Sequence, residues 1–267
     1  KLQKNWIGRS EGAQVALYVE KDGKRLTNED GTPMKLEVFT TRVDTFMGIT
    51  YVVIAPESEL CAKLTTDECR DAVEEYRKAT AKVTEIDRMS TTREKTGVFT
   101  GAYAIHPLNG RRVPIWAADY VVAGYGTGVV MAVPSHDQRD FEYAIAHNID
   151  MIQVIDGDEK LGHVDVSEKA FEKGEYLGKG YKLINSEEFT GLTVEEAKEA
   201  ITEKLVNEGI AREVNNYKIL YGGGVNKDNV DSTKLDAEPI SAISHIQNIA
   251  PGPPTEIAIA IPAKLPG

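Results

Sequence analysis

"GTGVVMAVPSHDQRDFEYA", Gly126 to Ala144, passes from glycines to an apolar run and then to five consecutive polar residues, His136 to Asp140. The apolar run has the length and β-branched content of a buried strand. Phe141, Ala144 and Ile145 then fall at the spacing of one buried helix face. A strand that gives way directly to a helix belongs to a mixed fold. Two readings of the charged junction stay open at this point. It is a solvated helix start, with Asp137 or Asp140 complementing the helix dipole, or it holds something charged.

Outward from this stretch, strand patterns dominate. "ITYVVIAP" (Ile49–Pro56) is a continuous apolar run stopped by Pro56, and "KLEVFTT" (Lys35–Thr41) alternates. "AQVALYVEKDGKRL" reads as a strand, a turn at Asp22-Gly23 and a second strand, and "MIQVID" (Met151–Asp156) as another. Asn109-Gly110 is the strongest hairpin signal, because both residues tolerate positive φ. Helical patterns cover Ser58 to about Lys82 and "LTVEEAKEAITEKLVNEG". In the latter, Thr193 and Glu196 form a capping box, and Gly209 stands where a left-handed C-terminal residue belongs. Strands outnumber helices without alternating with them regularly. The fold class expected is mixed α/β of the α+β kind: a twisted, barrel-like β core with peripheral helices, not a doubly wound sheet.

The chain has 267 residues, 41% hydrophobic and 27% charged, which suits one large soluble domain or two small ones. A net charge of −11 argues against non-specific nucleic-acid binding and leaves a local basic site open. Cys61 and Cys69 form no CxxC or Cys/His cluster, so neither zinc nor a disulfide framework is expected, and a reducing, cytoplasmic compartment is. No apolar run approaches the ~20 residues of a membrane span. "KLQKNWIGRSEG" lacks the apolar core of a signal peptide and an initiator Met, as a fragment or processed product does. From Gly222 to Gly267 there is no aromatic residue, and six of the eleven prolines lie there. That tail buries little and is expected to be loosely ordered, although "EIAIAIPAKLPG" could supply an edge strand. The division expected is therefore 1–220 and 221–267.

"TTRVDT" (Thr40–Thr45) places three hydroxyls, a guanidinium and a carboxylate directly after a strand. Hydroxyls donate and accept without charge, so they can orient a water or a ribose beside an ester. The plainer reading is a threonine-rich β edge with an Arg42/Asp44 surface pair. "GYGTG" lacks the Lys-Ser/Thr of a nucleoside triphosphate loop, and what it allows is close backbone approach to a ligand. No Ser sits in a GxSxG turn, and Ser135 directly precedes His136, which disfavours a Ser/His/Asp hydrolase. His106, His136, His147 and His163 share no metal-ligand spacing.

Four blocks occur in order: "NWIGRSEGA", "TTRVDTFMGITYVVIAPE", "KTGVFTGAYAIHPLNGRRVPIWAADYVVAGYGTGVVMAVPSHDQRDFEYA" and "REVNNYKI". Together they make residues 1 to about 220 resemble the inserted editing domain, connective peptide 1, of bacterial-type leucyl-tRNA synthetase, a class I enzyme. The family usually has Pro where Val43 stands, so a looser turn is expected there, and Ala or Gly where Ser135 stands. After Ile219 the family's Arg-rich return segment is missing.

The resemblance implies a metal-free deacylase that hydrolyses norvaline, isoleucine or methionine esters of tRNA(Leu) and spares leucyl-tRNA(Leu). A methylene difference gives the synthetic site only about 1–3 kcal/mol of discrimination, which is why a second site is needed. Asp140 then pairs with the α-ammonium, and Thr40 and Thr41 hold the ester carbonyl, the ribose hydroxyl or the attacking water. Thr45 fills the space that leucine's γ-methyl needs. Met131 and Val133 line the side-chain pocket. Tyr125, Gly126 and Gly128 support adenine and ribose, and Arg139 reaches the terminal phosphates. Arg42, His136 and Asp137 join the substrate-binding set without a specific role. Editing needs no cofactor on this reading, since ATP and magnesium belong to the parent's synthetic site. The partners implied are the 3′ end of tRNA(Leu) and the rest of the synthetase, with no membrane and a monomeric chain. An inactive tRNA-end-binding module and a free-standing small-ester hydrolase are the alternatives.

Overall fold

The computed structural model describes residues 7–84, 88, 94–123, 127–221 and 225–231, with 7–11 and 215–231 described by backbone alone. In order these form β1 (Ile7–Lys21), β2 (Lys24–Arg25), β3 (Lys35–Thr40), β4 (Tyr51–Ile54), α1 (Glu59–Leu64), α2 (Arg70–Thr80), β5 (Gly97–Ile105) and β6 (Arg112–Ala118). Then follow β7 (Val129–Ala132), α3 (Gln138–His147), β8 (Ile155–Asp156), α4 (Lys173–Tyr176), β9 (Lys182–Leu183), α5 (Val194–Asn207), β10 (Ala211–Tyr221) and β11 (Val225–Asp231). One short 3-10 turn, Val43–Gly48, precedes β4, and another, Pro134–His136, follows β7.

The chain divides into two compact units, 14–212 and 1–13 with 213–267. In the second, β10 pairs antiparallel with β11, with a register shift between Lys218 and Leu220. The expected tail thus contains a strand at Val225–Asp231. Residues 222–224 and 232–267, including "EIAIAIPAKLPG", lie outside the described residues.

The larger unit is built on a sheet in the order β1-β5-β6-β4-β7, with β2 and β3 also paired to β1. Asp22 (φ 51°) and Gly23 (φ 72°) make the tight turn that joins β1 to β2, as the sequence predicts. β4 lies parallel to β6 and antiparallel to β7, and all four of its residues are buried. Cover on both faces is what a continuous apolar run requires. β3 pairs with β1 and also lies beside β7, so the sheet curls back on itself. Among the described residues no strand pairing closes it, and the barrel-like core is an open, curled sheet.

α3 covers one face through Tyr143, which stacks on Tyr51 of β4 (5.3 Å between ring centroids) and meets Tyr120 edge-on (5.6 Å). Gly97 makes this possible, because a Cβ there would lie 2.0 Å from the Tyr143 hydroxyl. α5 buries Val194, Ala197, Ile201 and Leu205, starts with the Thr193/Glu196 capping box, and packs on the turn Val43–Gly48. Gly209 has φ 68°, as its place predicts.

Four local readings need correction. The Ser58–Lys82 helix is two helices, α1 and α2. Thr65 caps the first by bonding Cys61 O, and Thr66 N–H leaves the helix for Thr100 O. β5 and β6 form the antiparallel hairpin that Asn109-Gly110 signals, but its loop is longer than a two-residue turn, His106–Arg111, and Gly110 alone has positive φ (71°); the Asn109 side chain accepts from Arg111 N–H. On α3, Tyr143 takes the buried position and Ile145 is 57% exposed. "MIQVID" is a strand only at Ile155–Asp156, because the N–H groups of Val154 and Ile155 go to the His136 ring. Among the described residues no helix is long and apolar enough to cross a membrane.

Candidate active site

β3 delivers Thr40 to the start of the turn. Thr40 Oγ1 accepts the Arg42 N–H at 2.9 Å, and Thr45 Oγ1 donates to the Arg42 carbonyl at 3.1 Å. Two hydroxyls thus brace the same residue's backbone, a local bonding that suits Thr at turns. Thr40 and Thr45 are buried, and Thr41 and Arg42 are half-buried. Val43 does not open the turn, since all six residues from Val43 to Gly48 are buried.

The Arg42–Asp44 pair exists, at 3.2 Å, but not on the surface: Asp44 is only 3% exposed. Burial raises its carboxyl pKa above the ordinary carboxylate value, and Arg42 opposes that. The Tyr176 hydroxyl donates to Asp44 Oδ2 at 3.4 Å, and the Arg42 guanidinium lies over the Tyr176 ring, 5.2 Å from its centroid.

The charged junction after β7 divides by role. Asp137 is the N-cap of α3, its Oδ1 accepting the Asp140 N–H at 3.1 Å. Asp140 turns inward and is 3% exposed. Its Oδ2 accepts the Val133 N–H at 3.0 Å, and its Oδ1 lies 3.5 Å from Arg139 Nη2. Burial first, and the Asp137 charge second, push its pKa up to about 7 against the pull of Arg139. The Arg139 side chain stays 45% exposed, with its guanidinium over the Tyr120 ring at 5.1 Å.

His136 is committed to the backbone at both ring nitrogens. Nδ1–H donates to Phe171 O at 3.0 Å, and Nε2 accepts from Val154 N (3.0 Å) and Ile155 N (3.2 Å). That pattern requires a neutral ring, and burial lowers its pKa to about 4. Neighbouring Ser135 is fully buried, and its hydroxyl has no partner among the described residues.

Two contacts join the threonine turn to this junction. The Tyr176 ring, already on Arg42 and Asp44, meets the His136 ring edge-on at 6.1 Å. Gly48, at the end of the turn, leaves room for Val133: a Cβ there would sit 3.0 Å from Val133 Cγ1 and from Val154 Cγ2. Val133 and Met131 are buried, with Met131 opposite Val52 in the β4–β7 register. Gly128 precedes β7 with φ 66° and offers its carbonyl to Ala55 N–H at 3.2 Å. Tyr125 and Gly126 lie outside the described residues.

Sequence reasoning did not single out Asp44 or Tyr176. Asp44 stood inside a motif already under suspicion and was read as surface. Tyr176 carried no signal, because it sits in the polar stretch "FEKGEYLGKG" and is placed by the four-residue α4. The arrangement as a whole offers a buried carboxylate for a cation, a hydroxyl-bearing turn, and a half-exposed guanidinium for an anion. Among the described residues no group of three His, Cys, Asp or Glu side chains could hold a metal ion.

A family model described as leucyl-tRNA synthetase, editing domain, matches residues 4–206. Leucine–tRNA ligases of Caldanaerobacter subterraneus subsp. tengcongensis and Clostridium beijerinckii are 50% and 48% identical over 218 residues, which is 82% of this chain and 24% of each relative. The chain therefore spans about a quarter of the length of the curated relatives it matches. A solved ternary complex of Agrobacterium radiobacter K84 LeuRS with tRNA and LeuAMS is similar over 81% of this chain and 21% of that one, with 29% identity and a TM-score of 0.54. A buried Asp in the first turn of α3, a threonine turn joined to the same junction, and a match over most of the chain agree, and the chain belongs to the leucyl-tRNA synthetase editing-domain family.

Proposed function

We propose that the chain hydrolyses the ester of tRNA(Leu) mischarged with norvaline, isoleucine or methionine, as the proofreading part of a leucine–tRNA ligase. The observation that carries this reading is Asp140, a buried carboxylate poised near neutrality beside a braced threonine turn. Ionised, it pairs with the substrate's α-ammonium in a charge-assisted contact, which selects aminoacyl esters over other esters. Water attacks the ester carbonyl. The acyl–oxygen bond breaks, the amino acid leaves as its carboxylic acid, and the ribose hydroxyl recovers the proton. Thr40 and Thr41 orient the carbonyl or the water, and orientation supplies much of the rate. Arg139 holds the terminal phosphates. Met131 and Val133 form the side-chain wall.

Thr45 rejects leucine by occupying the space its γ-methyl needs. Its hydroxyl is already bonded to the Arg42 carbonyl, so bulk is what it presents to a substrate. The test is Asp140→Ala in the synthetase that carries this chain. Deacylation of isoleucyl- and norvalyl-tRNA(Leu) falls by at least about 100-fold while leucylation stays at the parent level. Full deacylation in that variant overturns the ammonium role. An inactive tRNA-end-binding module predicts no deacylation in the parent protein either.

A further inference from the structure

The two ends of the threonine turn are held by different means. Its front is braced from within, by the bonds of Thr40 and Thr45 to the backbone of Arg42. Its back is held by the β5–β6 loop, about sixty residues further along the chain. His106, at the start of that loop, is fully buried and donates from Nε2–H to Phe46 O at 3.1 Å. A carbonyl oxygen only accepts, which places the ring proton on Nε2. The Phe46 and His106 rings pack with centroids 4.8 Å apart. Arg111, at the end of the loop, reaches two further carbonyls with one nitrogen. Its Nη2 donates to Met47 O at 2.8 Å and to Ile49 O at 2.7 Å.

The loop is itself closed, with His106 N–H on Arg111 O at 2.8 Å and Gly110 N–H on His106 O at 2.9 Å. Its two clasping side chains are therefore set at a fixed spacing. Of the two, Arg111 is the stronger, because a hydrogen bond from a charged donor is roughly twice as strong as a neutral one. Phe46, Met47 and Ile49 are buried, so their carbonyls depend on donors from the protein.

We propose that Arg111 is a positioning residue for proofreading: it fixes where the threonine turn stands, and so where Thr45 meets the substrate's side chain. This rests on the proofreading reading and adds to it a residue that touches no substrate. Thr45 directly precedes Phe46, and its hydroxyl is bonded to Arg42 O, so it moves with the turn as one body. Without Arg111 the back of the turn loses two anchors. A gate made of bulk is the part most sensitive to such a shift, because contact repulsion changes steeply over fractions of an ångström. Asp140 is held from elsewhere, by Val133 N–H and the Asp137 cap. The grip on the α-ammonium therefore survives a shift that admits leucine.

The test compares Arg111→Met and Arg112→Met in the synthetase that carries this chain. Arg111→Met raises hydrolysis of leucyl-tRNA(Leu) by at least about tenfold, while hydrolysis of isoleucyl-tRNA(Leu) stays within about threefold of the parent. Arg112 is the neighbouring arginine, but it lies over the Tyr103 ring at 4.2 Å and pairs with Glu20 at 2.8 Å, so Arg112→Met leaves both rates at the parent level. Arg111→Lys keeps the charge but not the guanidinium's geometry. It shows the same split at smaller size, and it serves in place of Arg111→Met if that variant does not fold. A second readout needs no activity. The Thr45 and Ile49 amides, bonded to Arg42 O and Phe46 O, exchange at least about tenfold faster in Arg111→Met while those of α2 keep the parent rate. Equal losses on the two esters make Arg111 a support of the fold alone and overturn the proposal, as do rates unchanged on both or unchanged exchange at Thr45 and Ile49. A parent that hydrolyses neither ester removes the proofreading reading instead, and amide exchange then decides whether Arg111 seats the turn.

Discussion

Ionised Asp140 has one backbone N–H and a guanidinium 3.5 Å away for company, and the residue is only 3% exposed. Its folded pKa of about 7 stands above the ordinary 3.8, so between those values the folded state keeps a proton that the unfolded chain has lost. The stability that goes with that proton is fully present below pH 3.8 and is lost as pH rises through 7. Asp140→Asn is therefore more stable than the parent above pH 7, by up to about 4 kcal/mol, and no more stable below pH 4; urea unfolding at the two pH values reads the difference. Deacylation by the parent has the opposite interest. Above the uncatalysed rate, kcat/KM rises through about pH 7 as Asp140 ionises, and falls again above about pH 8 as the substrate's α-ammonium loses its proton. Thr45 gives a second test at this scale. Thr45→Ala removes both bulk and the bond to Arg42, so it exposes leucyl-tRNA(Leu) to hydrolysis and lowers stability by about 1 kcal/mol. Leucyl-tRNA(Leu) that stays intact in that variant shows Thr45 is not the gate.

Among the elements, the seat of the turn against β7 is the contact most open to a single change. Gly48→Ala drives a methyl to within 3.0 Å of two valine side chains and 3.2 Å of the Ile152 carbonyl. Thermal melts should record a loss of about 1–3 kcal/mol. Because Val133 also carries the N–H that holds Asp140, kcat/KM for deacylation falls more than the unfolded fraction explains. Elements of this kind differ in how readily the sequence reveals them. β4 was plain, because a strand covered on both faces has to be apolar throughout. The α5 cap and the Asp22-Gly23 turn were plain too, since their chemistry is local. The break at Thr65-Thr66 and the length of the His106–Arg111 loop were not, because each depends on a partner elsewhere, Thr100 for one and Phe46 for the other. The same holds in the site. Asp140 could be suspected from its neighbours, but its inward turn depends on Val133. Tyr176 could not be suspected, because nothing local says that α4 will lay it on Arg42.

Over the whole molecule, the sheet is assembled from partners distant in the chain. Val52 of β4 faces Ile115 of β6 on one side and Met131 of β7 on the other. Both edges of the most buried strand therefore wait for residues that leave the ribosome much later, and neither neighbour can be replaced by a local hairpin. Sheets built from such pairings form slowly. Amide exchange on chains truncated before Arg112 is expected to find Tyr51–Ile54 unprotected, and chains extended through α3 to find them among the last amides to exchange. Until that length is reached, an apolar strand with open edges is exposed to neighbouring chains. The feature that gives the finished domain its firmest element thus makes its half-made form a client for chaperones until β7 has been made, and the proposed ester site waits longer still, for Asp140 on the helix that follows.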